Sequence, residues 1–276
     1  MGLRVWPWAW LCLLLCPALA QSAPKVSQWR LEDPRSILVI DTTKGRLFVE
    51  LHPDVAPMAV QRIESLTRRR SYDGLLFHRV IEGFVAQTGD PGNHDGGKTE
   101  LPNLQPEFTF HLTSDMPHMT AASPLGMTEG FIGALPYMSV AATQSVQKGG
   151  PGARAWITYC PAVMGMGRDA ALDTANSEIF FMLGANISLD HNYTAVGRVI
   201  LGQDVLLALS KGEPPERPDA MIRVQILADM PDAPRLEVLD TESAEFRARV
   251  RRLRLKRGAD FSLCEITLPA RLVSQP

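Results

Sequence analysis

The stretch Phe77-His78-Arg79-Val80-Ile81-Glu82-Gly83-Phe84-Val85-Ala86-Gln87-Thr88-Gly89-Asp90-Pro91 sets three side chains of different chemistry close together. Arg79 falls in a β-rich run, Phe84 follows five residues later and Gln87 three after that. An arginine keeps its charge and presents its donors as a rigid fork, where a lysine would offer a mobile, strongly hydrated point charge. A neighbouring aromatic adds an apolar face, and an amide both donates and accepts. A fixed cationic donor of this kind suits electrostatic stabilisation of a bound group. His78 adjoins Arg79, but alternation along a strand points it to the opposite face, as a hydrogen-bonded core histidine.

A second cluster, Asn176-Ser177-Glu178-Ile179-Phe180-Phe181, combines an amide, a carboxylate and paired aromatics. Other patterns are weighed and set aside. Gly92-Asn93-His94-Asp95-Gly96-Gly97-Lys98-Thr99 matches the phosphate-loop pattern letter for letter, but that loop must lead into a helix whose N-terminus receives the anion. Pro102 and Pro106 follow too soon, so no nucleotide is expected. His94, Asp95, His111 and His118 have no familiar metal-ligand spacing, and neither a metal nor any other cofactor is implied. The basic run Arg247 to Arg257 reads as a solvated helix face.

These side chains need a scaffold, and its limits are set at the ends of the chain. Residues 1–20 carry Arg4, an apolar run Val5 to Leu15 and the small-residue ending Ala18-Leu19-Ala20, the pattern of a cleaved secretory signal. The mature chain is expected from Gln21, exported, with the periplasm as its setting and no integral membrane segment. The sequence holds 28 basic and 30 acidic residues, a net charge of −2, which argues against nucleic-acid binding. Outside the signal the cysteines are Cys160 and Cys264. They form one disulfide or remain two buried thiols, and an oxidising compartment favours the bridge.

Ser36 to Asp41 and Gly45 to Leu51 read as a hairpin around Thr42-Thr43-Lys44. Met58 to Arg69 spaces Val60, Ile63 and Leu66 as a helical apolar face, and Asp204 to Leu209 forms a second helix before Gly212. Short β-rich runs lie between them: Leu75 to Val80, Glu178 to Leu183 and Ala195 to Ile200. Residues 123–160 show little periodicity and read as a long insertion. A strand over Ala220 to Ala228 ends one domain, 21–230. Residues 231–276 form a C-terminal extension, with a helix over Ser243 to Lys256 and an extended Phe261 to Leu268 able to dock back on the domain.

The segment from Phe77 to Pro91 resembles the catalytic segment of the cyclophilin-type peptidyl-prolyl cis-trans isomerases. The likeness extends to the opening hairpin, to the helix after Val55-Ala56-Pro57 and to Asn176 through Gly202, about 200 residues. It implies a mainly β fold, a closed eight-stranded antiparallel barrel capped by two helices. It also implies proline-containing polypeptides as substrates, with Arg79, Phe84 and Gln87 catalytic. Val85, Gly167, Arg168, Glu178, Phe180, Leu189 and Tyr193 would line the substrate site, Phe84 and Phe180 walling the proline pocket. Glu178 departs from the family, which usually carries glutamine there. It either pairs with Arg79 or Arg168 and holds an arginine off the substrate, or accepts an N–H from the bound peptide. A binding module or chaperone of the same fold, with catalysis lost, is the rival reading.

Overall fold

The computed structural model describes Gly2 and residues 27–94, 98–140 and 152–273. The expected signal, Gly2 apart, and residues 95–97 of the phosphate-loop match lie outside the described residues. Strands in chain order are β1 (Trp29–Leu31), β2 (Ile37–Thr42), β3 (Gly45–Leu51), β4 (Arg79–Ile81), β5 (Val85–Thr88), β6 (Phe110–Leu112), β7 (Met119–Ala122) and β8 (Met127–Ile132). They continue as β9 (Leu135–Val140), β10 (Ala153–Ile157), β11 (Val163–Met166), β12 (Ile179–Met182), β13 (Ala195–Leu201), β14 (Met221–Ile226), β15 (Arg235–Leu239) and β16 (Ala270–Val273). Among the described residues, three α-helices join them: α1 (Pro57–Arg68), α2 (Gln203–Leu207) and α3 (Ala244–Arg257).

The hairpin β2–β3 closes where Thr42 pairs with Gly45, and Thr42 Oγ1 donates to the Gly45 carbonyl at 2.7 Å. Gly45 has φ +138°, a conformation that disfavours a side chain, and the space a Cβ would need is taken by Val205 of α2, 2.9 Å away. Successive residues of β2 enter different cores, as a period of two requires when both faces are covered. Leu38 and Ile40 meet Val60, Ile63 and Leu66 of α1, while Ile37 and Val39 join the cluster containing Phe131 and Phe246. Each such aliphatic side chain contributes about 1.5–3 kcal/mol on burial. Helix α1 starts with proline, and its Met58 and Ala59 N–H groups donate to the Glu107 carboxylate at 3.0 and 2.9 Å, a capping anion supplied from a distant loop.

Eight antiparallel strands form the principal sheet in the order β14-β2-β3-β13-β11-β12-β5-β4. The sheet curls, but the expected closed barrel is corrected. Its edge strands share no ladder and meet through isolated bridges, Leu76 to Ala220 and Val80 to Gly212, with Phe77 N–H on the Asp219 carbonyl at 2.8 Å. β4 spans only three residues, and further hydrogen bonds joining the two edges fall on the chain before it, from Gly74 N–H to the Met221 carbonyl and from Met221 N–H to the Leu75 carbonyl.

The described residues of 123–160, namely 123–140 and 152–160, do not form an irregular stretch. Together with β6 and β7 they build a five-stranded sheet, β6-β10-β9-β8-β7; residues 141–151 lie outside the described residues. The C-terminal segment is bound at both ends. β15 pairs with β1 on one side and β16 on the other, and Phe246 of α3 meets Phe131 edge-on at 5.3 Å. The stretch Phe261 to Leu268 makes a short 3-10 turn over Leu263–Glu265 instead of a strand, which begins only at Ala270. Ser262 caps that turn by accepting from Cys264 N–H. The turn brings Cys264 to Cys160, and the two form a disulfide across 104 residues of sequence.

Candidate active site

Strand register assembles the site. Arg79 pairs with Gln87 across β4–β5, Gln87 with Phe180 across β5–β12, and Phe180 with Gly165 across β12–β11. Four residues distant in sequence therefore lie in one row across the sheet, on one face, because directly paired residues share a face. Residue 165 has to be small. A Cβ there would stand 2.5 Å from Phe180 Cζ and 2.9 Å from the Tyr159 hydroxyl oxygen.

Phe180 is 4 % exposed and held on two sides. Tyr159 stacks on it at 5.7 Å between centroids, and Tyr193 meets it edge-on at 5.6 Å. Phe84 sits at the tip of the β4–β5 hairpin, where Gly83 has φ +68° and Phe84 N–H donates to the Ile81 carbonyl. A concave pocket of about 250 Å³ is lined by Arg79, Phe84, Val85, Gln87, Gly167, Arg168, Phe180, Leu189 and Tyr193. All but Glu178 of the ten site residues expected from sequence border it. Another cavity of about 230 Å³, beside α1 and β14, has Thr67, Arg68, Arg223 and Asp229 on its walls and no aromatic surface.

Arg79 keeps about a quarter of its side chain exposed. Its Nε donates to Glu213 Oε2 at 2.8 Å, its Nη1 donates to Gln87 Oε1, and its guanidinium carbon lies 5.9 Å from the Phe84 ring centre. Arg168 is fixed differently. Its guanidinium covers Tyr193 at 4.3 Å and donates to the backbone carbonyls of Asn192 and Asp169. A fixed cation thus stands at one end of the pocket, stacked aromatics at the other, and an apolar slot between them.

Glu178 departs from the first of its two expected roles. It reaches neither Arg79 nor Arg168 as an ion pair; Gln87 stands between, donating from Nε2 to Glu178 Oε1 at 2.8 Å. Its side chain borders an adjoining recess with Lys98, Arg168 and Asn176. His78 is also nearer the site than strand alternation implies, with Nε2 3.8 Å from Glu178 Oε2, because β4 begins at Arg79 and the alternation does not reach back. Sequence reasoning missed Tyr159, Gly165 and Glu213. The signal for Gly165 was present in Met164-Gly165-Met166-Gly167, a strand with a gap at every second position.

Two ionisable groups under the pocket loop are strongly perturbed. Burial pushes Asp190 up to about 6, although it accepts the Tyr159 N–H at 3.0 Å. Burial raises the Tyr159 phenol well above its ordinary value, so it remains a neutral wall of the pocket.

Comparison with known proteins points the same way. The family model described as cyclophilin type peptidyl-prolyl cis-trans isomerase matches residues 37–228. A probable peptidyl-prolyl cis-trans isomerase of Brucella suis is 30 % identical over 213 residues, covering 71 % of this chain and 85 % of its own. A peptidyl-prolyl cis-trans isomerase of Rhizopus delemar is 25 % identical over 199 residues, 71 % of this chain but 24 % of that longer protein. Among solved structures, the cyclophilin AquaCyp293 from Hirschia baltica superposes with a TM-score of 0.82 at 28 % identity, over 90 % of this chain and 95 % of that one.

Proposed function

The chain belongs to the cyclophilin-type peptidyl-prolyl cis-trans isomerase family and is an isomerase; from that premise we propose that it acts on exported polypeptides and uses Arg79 to stabilise the twisted amide. The supporting observation is the row Arg79–Gln87–Phe180, which sets a fixed cation beside an apolar slot.

Rotation about an X-Pro bond must break amide resonance over a barrier of about 18–20 kcal/mol, and no covalent bond is made or cut. In the twisted state the prolyl nitrogen becomes pyramidal and regains a lone pair. A donor aimed there interacts more strongly with the transition state than with either planar isomer, which is the condition for catalysis. Phe84, Phe180, Leu189 and Tyr193 hold the proline ring. Gln87 and Glu213 grip the guanidinium from two sides, so little reorganisation accompanies the reaction. Gly167 and Arg168 form the rim along which the peptide backbone lies.

The apolar run followed by Ala18-Leu19-Ala20, and a cysteine pair that forms a disulfide, support an exported and periplasmic setting, where unaided proline rotation takes tens of seconds. Exchange NMR on an Ala-Pro peptide tests the activity. Catalytic amounts of protein are expected to merge the cis and trans proline signals and to shift the Phe84, Phe180 and Tyr193 resonances. Peptide binding without exchange broadening would leave a binding module instead. Cell fractionation tests the setting, since a protein retained in the cytoplasm at full length would overturn it.

A further inference from the structure

We propose that Glu178 is a positioning residue for Arg79, acting through Gln87. The proposal deepens the reading of Arg79 given above and rests on it for its catalytic consequence, though not for its geometry.

Gln87 is 8 % exposed and joins two groups of opposite demand. Its Nε2 donates to Glu178 at 2.8 Å, and its Oε1 accepts from Arg79 Nη1. A carboxylate only accepts and a guanidinium only donates, so one orientation of the amide satisfies both. The reversed amide would set its NH2 against the guanidinium N–H and its oxygen against the carboxylate. A neutral glutamine at 178 accommodates either orientation and selects neither. Glutamate therefore fixes which face Gln87 turns to Arg79.

Two further features belong to the same arrangement. Glu178 is 4 % exposed, and a Cβ on Gly167 would overlap its Oε1, so the backbone just past β11 is kept bare where the carboxylate lies. Gly167 N–H also donates to the Glu178 carbonyl at 2.8 Å, tying the two backbones together. The other grip on Arg79 is of a different kind. Glu213 has 53 % of its side chain exposed, and ion pairs so placed are weak restraints. The durable restraint on the guanidinium comes through Gln87, and so from Glu178.

The test is a double-mutant cycle at 178 and 87, read as kcat and KM in the proline-peptide assay, with side-chain 15N spectra of Gln87 and Arg79 on the same samples. E178A is expected to lower kcat about tenfold with KM little changed, and Q87A by a similar factor. The double variant is expected to be no slower than Q87A alone, since Glu178 acts through Gln87. E178Q, nearly isosteric and so retained if E178A fails to fold, is expected to lose two- to threefold and to broaden the Gln87 amide signals. Multiplying losses for E178A and Q87A, or E178Q identical to wild type in both rate and spectrum, would overturn the proposal. If the wild type does not turn over the peptide, the reading of the site fails on its own. The spectra then still decide whether position 178 sets the Gln87 amide and the Arg79 Nε–H.

Discussion

Replacing Gly165 with alanine adds one methyl group at the back of the pocket, and the geometry says where it must push. The new carbon would stand 2.5 Å from Phe180 Cζ, whereas carbon atoms rest at about 3.5–4.0 Å, so the ring has to move by about 1 Å. Retreat along the sheet is blocked by Tyr159, stacked at 5.7 Å, and sideways movement by Tyr193, edge-on at 5.6 Å. The remaining direction is into the 250 Å³ pocket, where the proline ring is to lie. Overpacking of this kind costs about 1–3 kcal/mol, or roughly 2–10 °C in melting temperature for a chain of this size. Most of that strain is relieved by narrowing the slot, so KM for a proline peptide should rise by about tenfold, which is about 1.4 kcal/mol of binding, with kcat nearly unchanged. Isothermal titration with an Ala-Pro peptide and a thermal melt read both effects. An alanine variant that melts and binds like the wild type would refute the claim that Phe180 is wedged against a bare backbone at 165.

The other expectations concern the rest of the scaffold. Loss of the Cys160–Cys264 bridge, by C160S with C264S, frees a closed loop of about 100 residues worth about 4–5 kcal/mol of chain entropy, so the melting temperature should fall by roughly 10 °C; an unchanged melt would contradict this. Burial, and then the charge of Glu50, push Glu32 up to about 8, while Glu50, despite its own burial, is held down at about 2 by His52 and Arg30. The folded state therefore retains a proton on Glu32 that the unfolded chain releases near its ordinary 4.5, and stability from this group declines as pH rises from there to about 8. E32Q should flatten that decline and melt higher than wild type at pH 8.5 by more than about 1 kcal/mol equivalent; the same pH slope in both proteins would count against it. Asp190, raised to about 6 by burial, follows the same sign over a lower window, so D190N should be more stable than wild type by about 1 kcal/mol at pH 7.5, after discounting for solvent screening, and equal to it below pH 4. Equal melts at both pH values would show that Asp190 bears no such strain.

The sequence made the local parts of this protein legible and left the global closure obscure. Helix α1 was readable because Val60, Ile63 and Leu66 recur on one face, and the hairpin because two β-branched runs flank a short polar turn. The strands in 123–140 were not, since β8 and β9 carry Gly130, Pro136 and Ser139 where alternation would need uniform apolar and polar positions. Phe261 to Leu268 looked extended by composition, but Ser262 caps a turn there, and a side-chain oxygen satisfying a backbone N–H overrides β propensity. Barrel closure depends on whether two distant edges acquire a ladder, which short-range pattern does not report. At the site, Arg79, Phe84 and Gln87 belong to one local motif and Phe180 to a second, and all four border one pocket. Glu213 reaches Arg79 from 134 positions away, through a segment whose two prolines advertise a break in structure and nothing of its charge.

The account stands on Arg79 acting on the twisted amide and not merely on the bound peptide. The direct measurement is the cis/trans exchange rate of an Ala-Pro peptide with wild type, R79A and R79K, alongside peptide affinity and a melting curve for each. R79A is expected to remain folded, to bind within about threefold of wild type and to lose about 10²–10³ in kcat/KM, as removal of a preorganised charged donor does elsewhere, with R79K recovering only a small part. Exchange rates for R79A equal to wild type, in a protein that still binds the peptide, would contradict the account.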